Sequence, residues 1–444
     1  MNKVSIYCEK ASNGFQYVLD FIASQFKELE FIVIHSKEDY LNSKLPKINY
    51  SNLRILEPEL FIQNREFFNS IHEIPFPSIT YLNHQCVLFP SVVEDDLGFD
   101  IFTAIFWMLT NYEERSNLNR DQHGRFLAQY SCLYENKEFT NPLVDQWVNI
   151  FIDKINIKYG TKFIRTSQFR WSIGIDVDQA WKYKHKSSWN QFGGMAKSLL
   201  SFNFKEFKNR YNTILLDTQD PFDTYKYLDS FNLLKEQLIF FILSKTNNEL
   251  DATHSIQFKS YTHLLQDLKT KYFIGLHPSY DSKNDVKLIK SQKSELEEIL
   301  RKSVTMSRQH FLRLQNPETY RHLISLGFEK DYSICYADHS GFRTGTCHPY
   351  HFFDVEANQV SSLIIQPVQA MDRTYLQQMK YSPAETIQNI ETLIHDCKKF
   401  QGQFHLIWHN SSFDYQAEWK GWEGVFDEII SLLKLSTKTD LTAI

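Results

Sequence analysis

Cysteine is scarce in this chain. The six in 444 residues (Cys8, Cys86, Cys132, Cys335, Cys347, Cys397) are scattered and form no CxxC pair. That excludes a disulfide framework and points to a reducing compartment. The first residues, MNKVSIYCEK, have neither an apolar core nor a small-residue cleavage site, so no secretory signal is read there. No apolar stretch, even that around Ile101–Leu109, is long and uninterrupted enough to span a bilayer. Charge of one sign is missing too: 48 basic residues against 53 acidic give a net −5, with no basic stripe for nucleic acid and no lysine-rich cluster for a membrane surface. There is no internal repeat, no low-complexity tract and no glycine-rich phosphate loop. What these absences leave is a soluble chain, expected to be cytoplasmic, with no nucleic-acid partner and no membrane span.

The chain is long enough for two or three domains, each with its own core. Aromatics make up 15% of it, with 36 Phe and 23 Tyr. They fit core filling, and they also fit platforms on which sugar rings stack. The opening reads β-α-β: an apolar run at Val4–Tyr7, a helical pattern at Phe15–Phe26, then Phe31–His35. Phe99, Phe102, Phe106 and Leu109 recur at helical spacing, and a second helix is expected over Pro142–Ile157. The character changes after the polar stretch that ends near Thr166. The division expected is a smaller α/β N-terminal domain over 1–165 and a second domain over 166–444.

In the second part, short apolar runs alternate with helical patterns, the signature of a βα-repeating fold. The strands expected are Trp171–Val177, Leu238–Leu243, Tyr272–Leu276, Val304–Met306, Ile334–Tyr336, Leu363–Pro367 and Phe404–Trp408, with helices between them such as Ser255–Lys269, Lys287–Arg301 and Pro383–Cys397. This predicts an α/β fold with a (β/α)7-type barrel, in which function gathers at the C-terminal ends of the strands.

Titratable residues stand at those ends. Asp176 and Asp178 follow the first strand; two carboxylates two residues apart on extended chain face the same side and repel unless a cation or proton lies between them. His277 and Asp281 follow the third, and in a tight turn both can reach one ion. Arg308 and His310 follow the fourth, Asp338 and Arg343 the fifth, and His409 the last. A turn explains any one of these clusters. Five of seven strands ending this way is the pattern of a barrel active site.

The order of these pieces resembles the polysaccharide deacetylases of NodB homology, carbohydrate esterase family four, over roughly residues 170–435. GIDVD, GLHPSYD, SRQHF and FHLIWHN stand where that family has its first, second, third and last motifs. The departures are Val177 between the aspartates, Asp281 in place of a second histidine, and the absence of the proline of the third motif. GFRTGTCHPYHFFD and the N-terminal domain resemble an uncharacterised bacterial subgroup of the family. The resemblance implies a metal-dependent hydrolase in which water activated by a divalent metal, zinc expected, removes N- or O-linked acetyl groups from a glycan or acetylated amino-sugar precursor. Asp178, His277 and Asp281 would be the ligands, with His310 an alternative third. Asp176 would be the base, Arg308 its partner with Arg343 the alternative, and His409 the acid. Asp338 and Asp372 would be supporting carboxylates, and a backbone N–H in the His277–Asp281 turn an oxyanion donor. Trp408 would be either an apolar wall or strand packing. Two other functions stay open: a different amide hydrolase acting on a small molecule, and an inactive relative that binds glycan. Metal content separates the last from the rest.

Overall fold

The computed structural model describes residues 3–438 apart from 187, 245, 252 and 257. Contacts divide the chain into two compact units: residues 1–170, 334–369 and 392–404 form the first, and 171–333, 370–391 and 405–444 the second. The boundary expected near 165 treats the two as consecutive, whereas two later segments pack with the first unit.

In the first unit, β1 (Lys3–Tyr7), β2 (Glu30–Ile34), β3 (Lys47–Ser51) and β4 (Leu60–Gln63) form a parallel sheet in the order β2-β1-β3-β4. The helix Asn13–Ala23 starts where Ser12 accepts the backbone N–H of Phe15, a cap that replaces a missing helical bond. Its Phe15 stacks on Tyr50 of β3, 4.9 Å between centroids, and meets the edge of Phe102 at 5.1 Å. Phe102 lies in the helix Ile101–Leu109, of which every residue is buried. At these positions the abundant phenylalanine fills the core. Two antiparallel hairpins complete the strands of the unit, β5 (Ile79–Leu82) with β6 (Gln85–Leu88) and β12 (Tyr350–Asp354) with β13 (Gln359–Ile365).

In the second unit the strands are β7 (Arg170–Val177), β8 (Leu238–Leu243), β9 (Phe273–His277), β10 (Met306–Ser307), β11 (Lys330–Asp331), β14 (Ala370–Met371) and β15 (Gln403–His409). They lie in the order β11-β10-β9-β8-β7-β15-β14. All six residues of β8 are buried, as a strand covered on both faces demands. Register sets the neighbours at the functional edge: Leu243 pairs with His277, and Leu276 with Ser307, one residue before Arg308.

The fold is mixed α/β, but the sheet does not close into the expected barrel. Among the described residues no ladder joins β11 to β14. Both are two-residue strands, and closing a barrel requires them to pair. Two of the seven expected strands also fall elsewhere. Ile334–Tyr336 is buried but forms no ladder; its carbonyls are satisfied by loops, Ile334 accepting from Val368 N–H at 3.1 Å and Cys335 from Arg343 at 2.9 Å. A short apolar run does not distinguish a strand from buried coil. The run at Leu363–Pro367 belongs to β13, in the first unit's hairpin.

A buried carboxylate joins several segments of the first unit. Asp100 caps the helix Ile101–Leu109 through Thr103 N–H (3.0 Å) and also accepts from the Thr103 hydroxyl, the Tyr50 hydroxyl and Arg65 N–H. Asp100→Ala should therefore lower stability by about 2–4 kcal/mol, combining a lost cap with a buried hydroxyl left unpaired. Urea denaturation followed by circular dichroism measures this; a loss below about 0.5 kcal/mol, the size of an ordinary surface substitution, contradicts it.

Candidate functional site

Three side chains from three strand ends meet in the second unit. Asp178 follows β7, His277 ends β9 and His310 follows β10. One ligand atom from each lies within 4.8 Å of the others. Both imidazoles present Nε2 to the same carboxylate oxygen, Asp178 Oδ1, at 3.6 Å. Their other nitrogens are occupied. His277 Nδ1 donates to the Arg308 carbonyl at 2.5 Å, and His310 Nδ1 to Asp251 Oδ1 at 2.9 Å. Such partners fix the tautomer and leave the Nε2 lone pairs inward. Asp251 is itself held by the Thr246 hydroxyl and Tyr280 N–H. Burial, with His310 close by, pushes the His277 pKa down to about 3, so the ring is neutral as a ligand must be. Asp178 Oδ1 is buried and has no hydrogen-bond partner. An orphaned carboxylate oxygen facing two lone pairs is costly alone and is what a divalent cation satisfies. The donor set of one carboxylate and two imidazoles fits such an ion.

Beside this trio lies a buried ion pair. Asp176, on β7, faces the same side as Asp178, and its Oδ2 is 3.8 Å from His277 Nε2. Its Oδ1 accepts from Arg308 Nη1 at 2.6 Å. Arg308 is fully buried, lies over the Phe241 ring at 4.1 Å and donates through Nε to the Tyr332 carbonyl. Only glycine fits beneath it, because a Cβ at Gly174 would overlap the guanidinium. Burial raises the Asp176 pKa, and the charges of Arg308 and His409 pull back against that rise.

A second dyad ends β15. His409 Nδ1 lies 2.7 Å from Asp372 Oδ1, while Asp372 Oδ2 accepts from His409 N–H and the Ser412 hydroxyl. Burial works to lower the His409 pKa, but the charge and hydrogen bond of Asp372, with the charge of Asp178, outweigh it and the pKa rises. Asn410, next in sequence, donates to the Gln179 carbonyl at 2.7 Å and ties the end of β15 to the turn after β7.

Other expected residues lie outside this group. Asp281 is exposed in the turn Tyr280–Asn284, and its carboxylate accepts from Asn248 at 2.9 Å; the position beside Asp178 and His277 is taken by His310. Two backbone N–H groups of the His277–Asp281 turn are engaged, Ser279 with Gln292 and Tyr280 with Asp251, so neither is a free oxyanion donor. Asp338 and Arg343 belong to the first unit. There Asp338 accepts from Ala128 N–H at 2.9 Å, and Arg343 pairs with Glu114 at 2.5 Å. The guanidinium on Asp176 is that of Arg308. Trp408 packs among Phe413, Trp419 and Phe426, as strand packing requires.

Sequence reasoning gave His405 no role and did not single out Asp251. The turn that carries His310 is also strained, with Phe311 and Leu312 at φ 59° and 55°, left-handed values that cost non-glycine residues roughly 1–3 kcal/mol each. A second cluster, Asp145, Cys347 and His348, lies buried in the first unit. Its carboxylate is already satisfied by the Thr346 hydroxyl, Cys347 N–H and the Cys347 thiol, and Arg165 stands 3.1 Å from His348. That network is complete without an ion.

Residues 4–160 match the model of DUF7033, a family of unknown function. No curated protein matches the chain. Among solved structures, it is similar to a protein named as a polysaccharide deacetylase from Mycobacterium smegmatis, at 14% identity and a TM-score of 0.40, over 63% of this chain and 88% of that one. A second, named likewise, from Pseudomonas aeruginosa, matches at 10% identity and a TM-score of 0.37, over 61% and 86%. A polysaccharide deacetylase from Bacillus cereus matches at 13% identity and a TM-score of 0.30, over 60% and 88%. Among the described residues no helix is long and apolar enough to cross a membrane.

The His409–Asp372 pair has a measurable signature. Its raised pKa keeps the ring protonated to higher pH than a free histidine, and the stabilisation it provides is complete below about pH 6.5 and fades as pH rises through the raised value. In Asp372→Asn only burial remains dominant, so the His409 pKa should fall below the ordinary histidine value. An NMR titration of the imidazole carbons decides this; an unchanged pKa in the variant refutes the pairing.

Proposed function

We propose that the second unit is a metal-dependent hydrolase that removes acetyl groups from a glycan or an acetylated amino sugar. One observation carries the reading: the unpartnered Asp178 oxygen, facing two imidazole lone pairs and flanked by the Asp176–Arg308 and His409–Asp372 pairs. The acetylated glycan comes from the motif order described above. Asp178, His277 and His310 would hold the ion, with zinc the expected metal for this donor set. When bound, it supplies Lewis acidity toward water and the acetyl carbonyl.

The remaining chemistry is that of the chain's own residues. Asp176 accepts a proton from the attacking water through Oδ2 while Arg308 holds Oδ1, so one oxygen is oriented and the other free. Water oxygen bonds to the acetyl carbon and the bond from that carbon to the sugar nitrogen or oxygen breaks. His409, charged and held by Asp372, delivers its proton to the departing atom, giving acetate and the free amine or hydroxyl. The raised His409 pKa suits a group that must enter the reaction protonated.

Ligands and acid/base groups respond differently to substitution. Asp178→Ala and His310→Ala should lose bound zinc, measured by elemental analysis of purified protein, and with it hydrolysis of N-acetylglucosamine oligomers. Asp176→Asn should keep the zinc and lose roughly a hundredfold or more in turnover. Asp281→Ala should keep both. Zinc loss in Asp281→Ala with retention in His310→Ala would reverse the ligand assignment, and a zinc-free wild-type protein without activity would sink the enzymatic reading.

A further inference from the structure

Arg308 carries a full charge with no access to water, and guanidinium N–H groups only donate. Every group around it must therefore accept. Nη1 goes to Asp176, Nε to the Tyr332 carbonyl, and Nη2 is bonded to Nε2 of His405. Because Arg308 is the donor, His405 Nε2 must be the bare nitrogen. Its proton then sits on Nδ1, 2.7 Å from the Ser172 hydroxyl, to which it donates. His405 is fully buried, and burial together with the charge of Arg308 keeps it neutral. His405 and His409 lie four residues apart on β15, on the same face, with Ile407 between them. One strand thus carries the proposed acid at its end and, one layer deeper, the acceptor that aims the partner of the proposed base.

We propose that His405 is a positioning residue for the reaction, which with Ser172 locks the Arg308 guanidinium so that Asp176 keeps one oxygen bound and the other free. The inference rests on the hydrolase reading above. Without an acceptor at 405, Nη2 is left unpaired in a dry site and the guanidinium turns toward other carbonyls. Asp176 then loses its fixed orientation, while the ion-binding trio, held by Asp251 and the Arg308 carbonyl, is untouched. Glutamine is the conservative replacement, because its amide oxygen accepts from Arg308 and its NH2 donates to Ser172.

The test uses the full chain with zinc and compares His405→Leu, His405→Gln and Ser172→Ala on N-acetylglucosamine oligomers. The expected result is a kcat loss on the order of tenfold to a hundredfold in His405→Leu, with KM and zinc content unchanged. His405→Gln should recover most of kcat, and Ser172→Ala should lose only a few-fold. If His405→Leu does not fold, the glutamine and alanine variants carry the comparison: glutamine must fall near wild type in kcat. Hydrogen exchange of the Arg308 side chain, read by NMR, gives a readout independent of activity. Its Nη protons should be protected in wild type and His405→Gln and exposed in His405→Leu, or in Ser172→Ala to a lesser degree. Wild-type kcat in His405→Leu, or a glutamine variant as slow as the leucine one, overturns the inference. An inactive wild type with the protection pattern intact overturns the hydrolase reading alone.

Discussion

The ion pair between Asp176 and Arg308 is the constraint around which the second unit is arranged. A guanidinium removed from water forces everything near it to be an acceptor, an aromatic face or empty space. Tyr332 and His405 supply the first, Phe241 the second and Gly174 the third. Breaking such a pair by removing one partner costs about 3–5 kcal/mol, because the remaining charge stays buried. The position of the carboxylate is therefore fixed by the sheet itself, since Gly174 and Asp176 are on β7, Phe241 on β8 and His405 on β15.

Much of this was legible in the sequence because parallel strands bring distant residues to one edge. Asp176, Asp178, His277, Arg308 and His409 each follow or end an apolar run, and the register of β7 through β10 does the rest. The family resemblance implies Asp281 as a ligand and its four-residue spacing to His277 allows it, but the turn sends its carboxylate outward to Asn248. His310 reaches the same place because extended chain puts it on the same side as Arg308, two residues earlier. His405 gave no signal: it lies inside an apolar strand, where a satisfied buried histidine and a functional one look alike. Barrel closure depends on which strands pair, which hydrophobic patterning does not encode.

The first unit shows another limit of linear reading. Its β12–β13 hairpin, Tyr350–Ile365, comes far along the chain from the sheet strands, which end at Gln63. Cutting the chain at 165 would strip that hairpin from the unit. It would also part Asp338 from Ala128, whose N–H it accepts at 2.9 Å, and Arg343 from Glu114. The GFRTGTCHPYHFFD stretch belongs to this unit rather than to the strand ends of the second.

Taking His310 rather than Asp281 as the third proposed ligand would alter the charge of the site as well as its geometry. Asp178, His277 and Asp281 together would have cancelled a divalent ion. Asp178 with two imidazole ligands would leave one positive charge of a divalent ion uncompensated among them. Asp176 stands 3.8 Å from His277, and its own charge is already shared with Arg308. An ion held this way would be the more electron-hungry of the two, and its surplus charge would attract a substrate that brings a negative group near the reacting carbon.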